Sequence, residues 1–553
     1  MSANDAPSEI NTEAPAPSRS RWGVFANLAF TVILVASAVS SVGDAMFDTA
    51  SSWLMTSLNP DPFMVSAVQI AITLPMFLLT LPAGALSDIV DPRKLLIGVQ
   101  AFVALVALGY ATTIWLDWNS PHMLLLATFV LGVGGALGAP AWQVIAPLLV
   151  PREELDSAIA INSATYNLAR AIGPALGGAS IAAFGVGFPF WVNGASYFAT
   201  VAALIWWRPP PRDEETLPAE RLMNAISTGV RYVRNNRAMD ATLIRTIAFY
   251  LFSCSSWTLL PLIARAQMHN GPQVFGALMG ATGLGSIAAS FVLDKLKQRL
   301  GPDKLAGLGT FGASLAIVLF AVARGPLLAL AASFLAGASG IVVMTTLFVS
   351  AHVALPVWVR GRGLAIFLTV YFGAMTVGAA TWGKIASIAG LSTALYISAA
   401  GALLAMVLTW RWKLQTGASL DLSPSLHWRI PSFLNKIPAT RGPVLVTVEY
   451  VIDPKDREPF LALIHQIGAE RKRDGAYAWN VFEDPVCEGR IVETSLVQSV
   501  LEYEYARGRV TNADRLIEEQ ARKLFKEPPK LTILIAAKRI RRPWRKLPTE
   551  SNA

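Results

Sequence analysis

Long uncharged runs recur along this chain at short intervals, and they constrain its fold more than any other feature. A helix needs about 20 apolar residues to cross the hydrocarbon of a bilayer. Runs close to that length or longer fall near residues 24–48, 62–87, 95–116, 122–150, 156–184, 187–207, 241–263, 273–293, 305–323, 326–350, 362–386 and 391–411. The sequence therefore predicts an all-α membrane part of about twelve helices.

The composition indicates a membrane protein joined to a soluble domain. Of the 553 residues, 53% are hydrophobic and only 15% are charged, which is too apolar for a set of soluble domains. The net charge of +9 is explained by basic cytoplasmic loops, so we predict no nucleic-acid partner. Cys254 and Cys487 can build neither a disulfide framework nor a thiolate metal cage, and we predict no metal or cofactor.

The basic residues alternate between the two sides of the predicted membrane part. Loops near Arg93, near Arg152 and over 208–237 are rich in Lys and Arg, whereas the intervening loops hold almost none, Arg265 and Arg324 excepted. Short basic loops favour the cytoplasmic side. We therefore predict a multi-pass protein of the bacterial inner membrane, with both termini cytoplasmic.

The predicted organisation has two six-helix halves, a linker between them and a soluble end. The last part alternates as strand, helix, strand, strand, helix and strand, which is the order of an α+β ferredoxin-like domain. The predicted segments are a disordered tail over 1–20, the first half over 21–207, a linker with an amphipathic helix over 208–240, the second half over 241–412, a linker over 413–442, the cytoplasmic domain over 443–537 and a basic tail over 538–553 that lies against membrane lipid.

A polar turn, GALSDIVDPRK, separates the second and third runs. Asp88 lies at a helix end, where the basic pair Arg93 and Lys94 or the positive end of a helix would compensate its charge. Gly84, one turn earlier, would let another helix approach closely. An ordinary boundary loop is the alternative interpretation.

The turn has a partial copy between the eighth and ninth runs, where Ser290, Asp294 and Arg299 lie 206 residues after Gly84, Asp88 and Arg93. Gly-x-x-x-Asp with a following basic pair resembles the signature of the major facilitator superfamily. That resemblance implies two similar halves, with a motif that links them on the cytoplasmic side and latches one conformation. The chain departs from the usual pattern at Ile89 and Asp91.

The fifth run contains ARAIGPALGG over residues 169–178, which resembles the Gly-Pro-x-x-Gly-Gly motif of exporters in this superfamily. Small residues permit tight helix packing, and proline bends a helix because it lacks the backbone donor. Plain helix packing is the alternative. The motif residues are Gly173, Pro174, Gly177 and Gly178, whereas Thr165 and Ala169 replace two upstream glycines of the full pattern.

Few ionisable residues fall inside the predicted spans, and three of them are candidates for a functional role. Asp44 and Asp48 are four residues apart and share a helix face if the first helix continues past Gly43. Counting residues along the helices places Asp44 in the outer part of the bilayer or just beyond it, and Arg170 in the outer half of the fifth span. We consider these residues candidates for proton coupling, with a static ion pair or two solvated acids as the alternatives.

Residues 490–522 resemble the cytoplasmic tail domain of the superfamily branch that contains the enterobactin exporter and transmembrane secretion effectors. That tail is similar to antibiotic-biosynthesis monooxygenase domains. For the tail domain of this chain we predict a structural or dimerising role and no enzyme activity. The resemblance implies a secondary transporter that exports a small amphipathic drug, siderophore or metabolite by alternating access. The alternatives are a lipid or lysolipid flipping protein and a membrane-tethered sensor or enzyme.

Overall fold

The structure, a computed structural model, describes residues 23–208, 229–268, 271–356, 358–415, 421, 423, 425, 437, 438 and 440–537. The predicted disordered tail over 1–20 and basic tail over 538–553 lie outside the described residues, as does most of each predicted linker. The side chain of Asp88 lies outside them as well.

Ten helices of the described chain are long and apolar enough to cross a membrane. The longest, Pro272–Val322, is broken at Gly301, whose positive φ of 71° separates two spans. Leu155–Phe184 is more polar but has 30 residues and packs among the others. The twelve spans are α1 Leu28–Leu58, α2 Pro62–Ile89, α3 Pro92–Trp115, α4 Pro121–Ile145, α5 Leu155–Phe184, α6 Phe188–Trp206, α7 Arg237–Thr258, α8 over 272–300, α9 over 302–322, α10 Pro326–Val353, α11 Arg360–Ala389 and α12 Leu391–Leu408.

Local sequence signals begin several of these helices. The side chains of Asn27, Asp61 and Asp91 accept backbone N–H groups of the first turns of α1, α2 and α3. Proline is the first residue of α2, α3, α4 and α10, a position where its missing N–H leaves no hydrogen bond unmade. Short helical turns flank the spans at Gly23–Ala26, Ala146–Leu148, Arg152–Glu154, Leu260–Leu262 and Ile263–Gln267.

The soluble end folds as a four-stranded antiparallel sheet with helices. Its elements are β1 Val444–Val451, a turn at Pro454–Asp456, α13 Arg457–Asp474, β2 Ala478–Glu483, β3 Arg490–Val497, α14 Val500–Arg509, α15 Asn512–Arg522 and β4 Lys530–Ile535. The sheet order β2-β3-β1-β4 is that of the predicted ferredoxin-like domain. One helix was expected over 499–525, but Thr511 starts a second helix with a capping box to Asp514.

The C-terminal domain is attached to the second half of the membrane part. Arg231, which lies on a helical stretch over 229–234, pairs with Glu502 of α14 at 2.9 Å. Arg509 lies over the ring of Trp358, in the loop between α10 and α11, with 4.7 Å between guanidinium and ring centroid. We call the side of the membrane part that carries this domain the domain face, and the opposite side the distal face.

The two halves, α1–α6 and α7–α12, meet mainly through α2 with α11 and through α5 with α8. Near the distal face one apolar cluster contains residues of both halves, among them Trp53 stacked on Phe275 at 5.9 Å. Near the domain face each half has a separate cluster, one around Leu96 and Leu204, the other around Phe249 and Leu347. The halves are therefore closed on each other at the distal face and apart at the domain face.

Polar contacts reinforce the distal closure. Thr376 of α11 donates a hydrogen bond to Thr73 of α2 at 2.8 Å, and Ser387 donates to Asp61 at 2.6 Å. Arg265 donates to Thr56 at 2.9 Å. The contact between Thr376 and Thr73 is buried, and a hydrogen bond there lacks the competition of water.

Glu470 of α13 provides a stability test of the C-terminal domain. Its side chain is 7% exposed, and burial, together with the charge of Asp514, raises its pKa to about 9. In the unfolded chain the carboxyl ionises near its ordinary pKa of 4.5, so it lowers the domain's stability as pH rises from there towards 9. Glu470→Gln should therefore raise the domain's free energy of unfolding by about 1 kcal/mol or more at pH 8, and should leave it unchanged at pH 4.

Hydrogen exchange of the α13 amides in the full chain at both pH values measures this effect. Glu458→Gln is the matched control, because the Glu458 side chain is 82% exposed. Equal protection of the Glu470→Gln variant and the unmodified chain at pH 8 would contradict the assignment of a neutral buried carboxyl.

Candidate functional site

Asp44 lies near the middle of α1, against α6. Its Oδ1 accepts hydrogen bonds from Asn193 Nδ2 at 2.9 Å and from the Tyr197 hydroxyl at 2.5 Å. Gly43 makes this contact possible, because a Cβ at that position would lie 2.7 Å from Ser196 Oγ. The helix runs from Leu28 to Leu58 without a break at Gly43, so Asp44 lies deeper in the bilayer than expected from a start at Trp22.

Asp48 lies one turn after Asp44 on the same face of α1, and the charges of both Asp44 and Arg170 act on it. Arg170 lies near the middle of α5, with its guanidinium 5.9 Å from the Tyr166 ring centroid. The structure therefore brings the three predicted ionisable residues into one region at mid-membrane depth.

This region faces the second half across the gap that opens towards the domain face. The charge of Arg170 acts on Tyr250 of α7 and Tyr371 of α11. The two tyrosine rings pack edge to face with 4.4 Å between centroids, and the Tyr250 hydroxyl contacts Met344 Sδ at 3.1 Å. Arg170 thus lies between the acid pair of the first half and the tyrosine pair of the second half.

The glycine motif of α5 packs against two different helices. A Cβ at Gly173 would lie 2.5 Å from Ala45 Cβ of α1, and one at Gly177 would lie 3.2 Å from Met46 Cα. Gly178 faces the other half, where a Cβ would lie 2.6 Å from the carbonyl oxygen of Pro272 and 2.7 Å from Gly276 Cα. Pro174 is buried in the same segment. The motif therefore holds α5 against α1 and against α8.

In this conformation, residues of the polar turn after α2 form hydrogen bonds with backbone groups at the ends of neighbouring helices. Arg93 donates to the carbonyl oxygens of Leu204 and Ile205 at the end of α6, each at 2.8 Å, where such groups have no intrahelical partner. Lys94 is exposed. A Cβ at Gly84 would meet nothing within 4 Å, so the close helix approach expected there is not present.

Asp91, which departs from the family pattern, begins α3 by accepting the backbone N–H groups of Arg93 and Lys94. The residues predicted to form the corresponding turn, Asp294 and Arg299, lie instead within the last turns of α8. Asp294 has a side chain that is 86% exposed and pairs with Lys297 at 3.9 Å, and Arg299 is exposed as well. The latch expected of these motif residues stays a prediction.

The fold defined by these twelve helices is that of known membrane transporters. It is similar to a POT family transporter solved with 5-aminolevulinic acid, with a TM-score of 0.57 and 12% identity over 69% of this chain and 95% of that one. A bacterial homologue of the iron transporter ferroportin, solved in an inward-facing state, has a TM-score of 0.53 and 17% identity over 70% of this chain and 98% of that one.

The chain belongs to the transmembrane secretion effector family, whose sequence pattern matches residues 19–541. The enterobactin exporter of Escherichia coli O1:K1 is 28% identical over 256 residues, which are 44% of this chain and 58% of that protein. The staphyloferrin A transporter of Staphylococcus aureus is 23% identical over 47% of this chain and 65% of that protein. The predicted branch of the superfamily is thereby confirmed, and the chain spans less than two thirds of each relative.

Proposed function

We propose that this protein is a secondary active exporter of a small molecule in the bacterial inner membrane. The observation that carries the proposal is the asymmetry between the faces, with one apolar cluster shared by both halves at the distal face and two separate clusters at the domain face. Two halves that close on one side and part on the other are the basis of alternating access.

The domain face is proposed to be cytoplasmic. Its turns carry Arg93 and Lys94 after α2 and Arg360 and Arg362 at the start of α11, whereas most distal loops hold almost no cations. The conformation is then open to the cytoplasm, which is the state in which an exporter loads its cargo. Both termini lie on this side if the twelve spans alternate in direction.

The cargo is proposed to bind in the space bordered by Arg170, Tyr250 and Tyr371. An exposed arginine at mid-membrane depth suits an anionic group, and the tyrosine rings suit an aromatic or apolar portion. A siderophore is the first class to test, because two relatives carry such molecules by name; drugs and other amphipathic metabolites are next. A proton is proposed as the coupling ion, carried by Asp44 and Asp48.

Cross-linking the distal face tests alternating access. In a chain with Cys254 and Cys487 replaced by alanine, Thr73→Cys with Thr376→Cys should form a disulfide on oxidation, because their hydroxyl oxygens are 2.8 Å apart. Export should fall about tenfold or more and recover on reduction, since the distal face must open once in every cycle. Efflux of a siderophore from everted or intact vesicles is the measurement.

The matched control is Thr242→Cys with Ser350→Cys, whose hydroxyls lie 3.0 Å apart within the second half. That pair should cross-link without loss of export. Undiminished export with the distal pair fully cross-linked would refute alternating access through this contact. Competition by phospholipid analogues in the same assay would favour the lipid-flipping alternative.

Dimerisation through the C-terminal domain is also part of the proposal. The two edge strands of the sheet expose large apolar side chains, 55% for Phe482 on β2 and 54% for Leu534 on β4. Edge strands with such side chains favour pairing with another chain.

A further inference from the structure

A basic cavity lies in the second half near the domain face, between α7, α9, α10 and α12. Its central residue is Arg245, which is 7% exposed and pairs through Nη1 with Asp303 at 3.0 Å. Arg245 Nε and Nη2 are buried and have no hydrogen-bond partner among the described residues. A small cavity of about 20 Å³ adjoins them, lined also by Phe249, Thr310, Thr409 and Trp410.

The cavity continues into an open apolar groove of about 360 Å³ between α9 and α12. Gly307, Met406 and Trp410 line both spaces, which makes them one continuous site. The groove opens on the surface that faces lipid, because large apolar side chains of α9 and α12 are exposed there. These include Leu308, Phe311, Leu404 and Val407.

The charges around the site are mostly positive. Lys304 lines the groove, and Lys413 Nζ lies 4.8 Å from the ring centroid of Trp410. The guanidinium of Arg245 lies 5.7 Å from the centroid of the same ring. Among the described residues, the acid that pairs with Arg245 is Asp303, whose Oδ1 also accepts from the backbone N–H of Leu414 at 3.0 Å.

We propose that an anionic phospholipid of the leaflet at the domain face binds here. An acyl chain lies in the groove between α9 and α12, and the phosphate accepts hydrogen bonds from the free N–H groups of Arg245, with Lys304 and Lys413 beside it. Guanidinium and phosphate form strong charge-assisted hydrogen bonds. Basic pockets between membrane helices at headgroup level bind such lipids, and Trp410 is of the residue type enriched at that level.

The site lies within one half and away from the space between the halves, so the proposal does not rest on the identity of the cargo or on export. It accounts for two buried donors that have no partner in the described part of the chain, and such donors are costly in apolar surroundings. A phospholipid without net charge would leave the excess cationic charge at this rim uncompensated.

Native mass spectrometry of the full chain, released from nanodiscs holding equal amounts of phosphatidylglycerol and phosphatidylcholine, tests the proposal. We expect one phosphatidylglycerol to remain bound under conditions that remove phosphatidylcholine. Lys304→Ala with Lys413→Ala should reduce the retained fraction about fivefold, because each cation near an anionic headgroup contributes to binding. Arg245→Gln should remove retention, and the lysine pair keeps the test valid if that buried change prevents folding.

The matched control is Lys295→Ala with Lys297→Ala, two cations of the same face outside the groove. This variant should retain phosphatidylglycerol as the unmodified chain does. Equal retention of the two lipids, or equal retention of phosphatidylglycerol by the Lys304/Lys413 variant and its control, would overturn the proposal and show that the groove holds bulk lipid only.

Discussion

Asp44→Asn is expected to reduce proton-driven efflux about tenfold or more, since a buried ionisable residue inside the membrane is retained only where its charge is used or compensated. The carboxylate accepts from both Asn193 and Tyr197. An asparagine keeps the size of the side chain but can neither bind nor release a proton as the halves change position. The cargo space next to Arg170 is unchanged by the substitution.

Efflux in vesicles with and without a proton gradient measures this loss. Exchange of labelled for unlabelled cargo at equal pH should persist in Asp44→Asn, which separates coupling from folding. Asp156→Asn, an exposed acid at the start of α5, should leave gradient-driven efflux intact. Full coupled efflux by Asp44→Asn would remove this residue from the mechanism.

Gly178→Leu is expected to prevent closure of the distal face and to reduce export about tenfold or more, because overpacking a close helix contact displaces backbone. A Cβ at this position would lie 2.6 Å from the Pro272 carbonyl oxygen and 2.7 Å from Gly276 Cα, both of which are backbone atoms of the other half. Neither can move aside without moving α8. The contact therefore tolerates no side chain at Gly178 in the conformation described.

The reaction of Thr73→Cys with a membrane-impermeant thiol reagent, added from the distal side, measures closure in the same variant. Thr73 is 2% exposed, so the cysteine should react slowly in the parent chain and at least several-fold faster with Gly178→Leu. Gly109→Leu in α3 is the control, because a Cβ there meets nothing within 4 Å. Equal reaction rates in all three chains would contradict a sealing role for Gly178.

The number of spans and most of their ends follow from the sequence, since apolar length and proline act locally. Pro62, Pro92, Pro272 and Pro326 begin helices where the sequence places them. The main difference is the first span, expected to end near residue 48 but continuing to Leu58. Its last turns contain Thr49, Ser51 and Thr56, which are buried by other helices, and burial by distant parts of the chain leaves no local signal.

The partners of the candidate site were less accessible to sequence reasoning. Tyr197 lies 153 residues from Asp44, and no pattern in either helix records that distance. Gly43, next to Asp44, is the local signal in the sequence that indicates a close contact between α1 and another helix. Asp294 follows Asp88 by 206 residues, whereas the helix starts at Pro272 and Pro302 follow Pro62 and Pro92 by 210 residues. Asp294 therefore lies about one helical turn before the position that corresponds to Asp88.

The attachment of the C-terminal domain has a consequence for how the protein can be observed. Arg509 lies over Trp358 and Arg473 lies over the buried ring of Tyr232, on the segments that lead directly into α11 and α7. We therefore expect the domain to move together with the second half. A fluorophore pair with one dye on this domain and the other at Lys94 would report each opening of the halves as a change in distance.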